Sequence, residues 1–308
     1  MNVFVTGGCG YVGSILVPKL LAKGHVVTVC DTLWFGNYLL PHPNLTVQVQ
    51  DIRKLKALPT NTEAIIHLAS VADDASSELN PLTTWEVGVF GTINILNAAL
   101  HSACAIIHAS SGSIYGVRSE DQVTEELKLE PFSYYNKVKM VVEQLVASST
   151  YVKHIIRPAA IHGYSPRMRF EIGFNQLVLQ AVTTGRIKVF GGEQLRPMID
   201  IEDITDLYVA SLTRVFGRML YNAVSTNISI LELAKTIQKV IDCEIDIVPS
   251  NDVRSYHMNG DRLKSAGFLM KQNLIDSIRN LASKIKEHNI KDDDKYYNIR
   301  WMKKNAIK

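Results

Sequence analysis

Tyr135 and Lys139 stand four residues apart, and Ser111 precedes them in the loop Ser110-Ser111-Gly112-Ser113-Ile114-Tyr115-Gly116. These residue types suit the oxidation of a secondary alcohol. Removing hydride from such a carbon requires that the hydroxyl proton leave as well. A phenol with a pKa of about 10 is too weak a base at neutral pH. A neighbouring ammonium and a cationic nicotinamide ring stabilise the phenolate. In that chemistry Tyr135 is the base, Lys139 lowers its pKa and holds the nicotinamide ribose, and Ser111 orients the substrate oxygen. Spacing alone decides little, because 12 tyrosines and 20 lysines in 308 residues make one chance match unremarkable. The setting decides more. Helical residues four apart share a face. The Ser111 loop follows an apolar strand, and ligands of open α/β sheets bind at the carboxyl ends of strands.

A second motif lies at the start of the chain. Thr6-Gly7-Gly8-Cys9-Gly10-Tyr11-Val12-Gly13 follows the apolar run Val3–Thr6 and opens a helical pattern. Gly7 permits a tight turn, Gly10 lets the backbone approach a pyrophosphate, and Gly13 lets the helix pack close to the sheet. The helix N-terminus, at Tyr11 and Val12, offers N–H groups to the phosphates. Asp31 ends the next strand, where a carboxylate accepts hydrogen bonds from the adenosine ribose. It would repel a 2′-phosphate, and no Arg or Lys follows until Arg53, so NAD is expected over NADP.

The elements that must position these residues alternate. Strands are predicted at 3–6, 25–30, 45–50, 64–68, 105–109 and 152–156, with helices over 11–23, 83–101 and 134–148 between them. That alternation predicts an α/β fold with a Rossmann-type, doubly wound parallel sheet over residues 1–160. Residues 161–308 read as a smaller C-terminal α/β substrate domain, with helices over 172–184, 230–241 and 274–287 and strands at 187–190 and 244–248. The run Met219–Ala223 suggests that residues 199–228 return to the first domain.

Composition narrows the function classes. At 46% hydrophobic and 20% charged, the chain can bury a sizeable core. No apolar run approaches the ~18 residues of a membrane span, and the first residues do not resemble a signal peptide. Cys9, Cys30, Cys104 and Cys243 are scattered without a C-x-x-C, so no metal site is expected. Reduced thiols fit a cytoplasmic protein. The net charge of +3 hides a split. Residues 261–308 hold 12 basic and 6 acidic side chains, against 21 and 24 in the remainder. That tail carries no nucleic-acid motif, so no nucleic-acid or membrane partner is expected, and it reads as a solvated helix with an extension.

Over nearly its whole length the chain resembles the extended short-chain dehydrogenase/reductases that act on nucleotide sugars. The glycine loop and Asp31 carry the resemblance. So do Asp51-Ile52-Arg53, like the family's adenine-contacting acid–aliphatic pair, and His67-Leu68-Ala69-Ser70, like the strand-four motif beside the cofactor. Ser111, Tyr135 and Lys139 match the catalytic triad, with Glu143 a turn later, and Arg157-Pro158 leads into Gly163 as in the family. The run Gly191–Asp203 resembles the substrate-domain signature. The resemblance implies that Leu68, Ala69, Ser70 and Pro158 border the cofactor. It implies that Asn175, Arg196 and Arg254 contact a nucleotide-diphosphate sugar, and that a homodimer forms through helices 83–101 and 134–148. The sequence departs from the family pattern at Gly88 and Ala160, where Asn is common, and at Asp200, where His is common. His162, where Tyr or Thr is usual, could touch the sugar or be structural.

Dehydratases of this kind usually place an Asp–Glu pair after the catalytic Thr or Ser, and decarboxylases a Glu in the same loop. Gly112 and Ser113 stand there instead. The Ser-rich loop is most similar to that of a 4-epimerase, in which a 4-keto intermediate rotates and takes hydride back. A dehydrogenase or 4-ketoreductase that stops after one transfer is the alternative. A non-catalytic NAD-binding regulator is a remote one, since both Tyr135 and Lys139 are present.

Overall fold

The computed structural model describes residues 1–102, 104–214, 216–250 and 255–305. Its strands are β1 (Asn2–Thr6), β2 (Val26–Asp31), β3 (Leu45–Val49), β4 (Ala64–His67), β5 (Ala105–Ala109), β6 (Val152–Pro158), β7 (Ala160–His162), β8 (Arg186–Phe190), β9 (Leu195–Asp200), β10 (Leu220–Ala223), β11 (Thr226–Ser229) and β12 (Glu244–Val248). Its α-helices are α1 (Gly13–Ala22), α2 (Asp74–Ser77), α3 (Pro81–Trp85), α4 (Gly91–Ser102), α5 (Tyr134–Ala147), α6 (Gly173–Thr184), α7 (Ile201–Thr213), α8 (Ile230–Gln238), α9 (Asp261–Ser265), α10 (Leu274–Glu287) and α11 (Asn298–Lys304).

Seven strands form a parallel sheet in the order β10-β6-β5-β4-β1-β2-β3. The strand order reverses between β1 and β4, which opens a crevice at their carboxyl ends. The central strands read as apolar runs because helices cover both faces. Ala64, Ile65 and Ile66 have no exposed surface. Leu220–Ala223 adds to this sheet beside β6. Strands β11-β9-β7 form a three-stranded sheet and β12-β8 a two-stranded one.

Several elements differ from expectation. The helix predicted over 83–101 begins at Pro81 and is interrupted by a π-helical turn at Glu86–Phe90 before α4 resumes. Helix α7, with six strand-like residues before it in β9, was not anticipated; Asp200 caps it by accepting from the Glu202 N–H at 2.8 Å. The basic tail also divides. Helix α10 follows the amphipathic rule, burying Ile278, Leu281, Ala282 and Ile285 on one stripe. Helix α11 is no solvated extension, because Asn298 and Met302 are each 4% exposed. No helix among the described residues is long and apolar enough to cross a membrane.

Candidate active site

A cleft of about 800 Å³ runs from the β1–β4 crevice to β9. Its cofactor-like half begins at the glycine turn. Gly7 has φ +71°, and a Cβ there would lie 2.8 Å from the backbone of Ala69, so only glycine lets the two loops meet. A Cβ on Gly13 would lie 2.4 Å from the carbonyl oxygen of Gly8, which fixes how closely α1 follows the turn. The N-terminus of α1 has no side-chain cap and no acid in its first turn. Its partial positive charge is therefore left for an anion in the cleft. Asp31 accepts from the N–H groups of Cys9 (3.0 Å) and Leu33 (2.8 Å), which points its carboxylate over the same turn. Burial raises its pKa, and those backbone bonds oppose the rise. Gly10, Val12, Asp51, Ile52, Leu68, Ala69, Ser70 and Pro158 all line the cleft. An uncapped helix, a glycine cradle and a half-buried acceptor carboxylate fit an adenine dinucleotide.

At the other end Ser111 follows β5, and Tyr135 sits in the first turn of α5. Ser133 starts that helix by accepting from the Asn136 N–H at 3.1 Å. The Ser111 hydroxyl stands close enough to the Tyr135 phenol to favour its ionised form. Ser111 Oγ lies 2.7 Å from Ser113 Oγ, and Asn136 Nδ2 donates to Ser113 Oγ at 2.8 Å. Lys139 is buried, donates to the Ala109 carbonyl at 2.8 Å, and lies 6.0 Å from the centroid of the Tyr135 ring. Burial depresses the Lys139 pKa to about 8. Burial raises that of Tyr135, opposed by the Ser111 hydroxyl and by the charge of Arg169.

Arg169 was not singled out in the sequence. It lines the cleft between Asp73 (3.0 Å) and Glu171 (2.8 Å). Burial works against its charge, but the two carboxylates outweigh burial and hold its pKa above the ordinary arginine value. Asp73 itself has φ +81° and ψ 155°, a region almost confined to glycine and costing of order 1–3 kcal/mol. Arg167, Asp74, Asn298 and Met302 also line the cleft. None of these carried a local motif.

Other sequence expectations come out unevenly. Arg196 lines the cleft, whereas Arg254 lies outside the described residues. Asn175 does not line it: the side chain has no exposed surface. Its Oδ1 accepts from the Gly163 N–H (3.0 Å), and its Nδ2 donates to the Tyr11 hydroxyl (3.1 Å) and the Arg169 carbonyl (2.9 Å). With those bonds made, the amide holds the 163–169 loop instead of reaching a ligand. Tyr11 lines the cleft, but its hydroxyl is turned away to donate to the Gly163 carbonyl. His162 lines the cleft too, stacked on Phe174 with centroids 3.9 Å apart. Burial lowers its pKa to about 3, so it is neutral.

Beneath the site lie two polar networks. Ser110 Oγ donates to Glu143 at 2.6 Å, and Arg157 Nε donates to the same carboxylate at 2.9 Å. Arg157 also donates to Tyr115, which donates to Asn222 of β10. In the second, Thr92 donates to the Gly88 carbonyl (2.5 Å), so its oxygen accepts from His67 Nε2–H (3.0 Å). His67 Nδ1 then accepts from the Thr6 hydroxyl at 2.7 Å. Burial lowers the His67 pKa to about 3, so the ring is a neutral strut between β1 and the π-turn.

The doubly wound sheet, the glycine turn and the Ser–Tyr–Lys set at the strand ends define a Rossmann-type enzyme that uses NAD. Residues 3–223 match the NAD dependent epimerase/dehydratase family, and the chain belongs to that family of nucleotide-sugar enzymes. It is 28% identical over 289 residues to UDP-glucose 4-epimerase 4 of Oryza sativa subsp. japonica, covering 80% of this chain and 78% of that one. It is 27% identical over 255 residues to UDP-glucuronic acid decarboxylase 1 of Xenopus tropicalis, covering 78% of this chain and 60% of that one. In fold it superposes on UDP-glucose 4-epimerase of Thermotoga maritima with a TM-score of 0.84 at 22% identity, over 94% of this chain and all of the other.

Proposed function

We propose that this protein is an NAD-dependent nucleotide-sugar 4-epimerase. One observation carries the reading: with Lys139 turned to the Ala109 carbonyl, Tyr135 is left as the group of the Ser111–Tyr135–Lys139 set that can exchange a proton with a substrate, and the cleft carboxylates beside it are committed elsewhere. Asp73 and Glu171 pair with Arg169, and Asp74 accepts from Ser133 (2.6 Å) and Asn136 (3.1 Å). Elimination of water needs a further acid and base. Epimerisation needs only one group that takes a proton and gives it back. The similarity to the rice 4-epimerase supports the same choice.

In this reading Gly7, Gly10, Val12, Gly13 and Asp31 hold the dinucleotide, with Asp51 and Ile52 at the adenine and Leu68, Ala69, Ser70 and Pro158 along its length. NAD held there would supply the acceptor, and in its reduced form the donor, for the hydride of the sugar carbon. Ser111 fixes the 4-oxygen by hydrogen bonding. Tyr135 removes its proton, with the charges of Lys139 and Arg169 favouring the phenolate. Tyr135 gives the proton back after the 4-keto sugar has turned its other face. Arg196 and Arg254 bind the diphosphate, for which a guanidinium fork is well matched. Leu82, Phe90 and Leu100 stand 68%, 59% and 52% exposed along α3, the π-turn and α4. We propose that a second copy of the chain covers them.

The test is incubation with UDP-, GDP-, CDP- and dTDP-hexoses and catalytic NAD, with the sugars resolved afterwards. A C4 epimer with NAD unchanged in amount is expected. Stoichiometric NADH or a stable 4-keto sugar without an epimer would assign the protein to the dehydrogenases.

A further inference from the structure

The last helix ties three cleft loops together. After α10 the chain lays Tyr296 edge-on against Phe170, with centroids 5.5 Å apart, and then enters α11. Trp301 Nε1 donates to the Trp34 carbonyl at 2.6 Å, on the loop after β2. Asn298 Nδ2 donates to the Ala72 carbonyl (3.2 Å) and to Asp73 (3.0 Å), on the loop after β4. Asn298 Oδ1 accepts from Arg167, on the loop after β7, whose guanidinium lies 4.0 Å from the centroid of Phe35. Met302 packs into the core that contains Ile52 and also lines the cleft. Trp34, Ala72, Asp73 and Arg167 line the same cleft as Asp31 and Asp51. Asp73 needs such holding, because its backbone is in a conformation that it would leave if released.

We propose that α11 is a clasp that controls passage of the dinucleotide. Loops on either side of the crevice cannot part while Asn298 and Trp301 bridge them. Entry and exit of NAD therefore require α11 to lift. A slow exit suits an enzyme whose cofactor ends each cycle in the state it began, and in that respect the inference rests on the epimerase reading. The geometry itself concerns only the dinucleotide.

The test uses the full-length protein loaded with NADH, with no sugar nucleotide present, so it is independent of which reaction is catalysed. NADH fluorescence is followed after mixing with excess NAD to give the dissociation rate, and on mixing protein with NADH to give the association rate. Trp301→Phe removes the Nε1–H donor and keeps a smaller aromatic ring in its place. It should speed dissociation about fivefold, the worth of one hydrogen bond. Asn298→Ala removes three bonds and should speed it by more than about tenfold. A clasp gates both directions, so association should quicken as well. Rates within twofold of the parent, or faster dissociation with unchanged association, would overturn the proposal. If Asn298→Ala does not fold, Trp301→Phe alone decides.

Discussion

Gly88 shows how closely the helices behind the site are fitted. A Cβ there would lie 2.2 Å from Val138 Cγ1 on α5, the residue beside Lys139. Two carbons need about 3.5–4.0 Å, so Gly88→Ala must displace one helix or force Val138 out of its rotamer. A helical valine has one strongly preferred χ1, and α5 is held at its start by Ser133 and Asp74, so little relief is at hand. Overpacking of this kind costs about 1–3 kcal/mol, and the better helix propensity of alanine returns at most about 1 kcal/mol. Gly88→Ala should therefore destabilise by about 1–2 kcal/mol in urea denaturation. It should also lower kcat by an order of magnitude or more, because small misplacements of reacting groups are expensive. Val138→Ala removes the obstructing methyl. A double-mutant cycle should show the two changes compensating by about 1 kcal/mol or more. Additivity of the two single effects would refute the steric argument.

Two further outcomes follow from the buried charges. Glu143→Gln strips the carboxylate from a pair in which Arg157 is 3% exposed, leaving an uncompensated guanidinium. It should cost about 3–5 kcal/mol in denaturant titration, with loss of turnover because Ser110 adjoins Ser111. Lys139, with its pKa pushed down to about 8 by burial, titrates below its unfolded value of about 10.5. Below pH 8 it is charged in both states and the burial penalty is fully present. Between about 8 and 10.5 the unfolded chain holds a proton that the folded one lacks, so stability rises with pH. Relative to Lys139→Met, cofactor-free protein should gain up to about 3 kcal/mol across that window, measured by urea denaturation at several pH values; parallel pH profiles would contradict the assignment.

The parts of the site legible in the sequence are those in which neighbouring residues dictate the chemistry. The glycine turn, Asp31 and the Tyr135–Lys139 face each follow from local geometry, and the structure brings them to one cleft. Long-range partnerships were not legible. Asn175 sits in the first turn of α6, and its amide is spent on Tyr11, 164 residues away. Arg169 meets Asp73 across 96 residues, and Asn298 meets the same carboxylate across 225. Helix α11 looked solvated because its lysines dominate a short segment, while its one Asn, one Trp and one Met make the contacts that matter. The π-turn was not legible either: Gly88 within it is approached by Val138 of α5, fifty residues further along the chain.

The central claim is that C4 of the sugar loses its hydrogen as hydride and regains the same one within a single site, while Tyr135 takes and returns the proton of the 4-hydroxyl. It is tested most directly with a nucleotide hexose deuterated at C4, incubated with the enzyme in ordinary water and examined by NMR. The account predicts the C4 epimer with deuterium still at C4 and none lost to solvent. Epimer carrying protium at C4, or deuterium recovered in free NADH with no epimer, would contradict it.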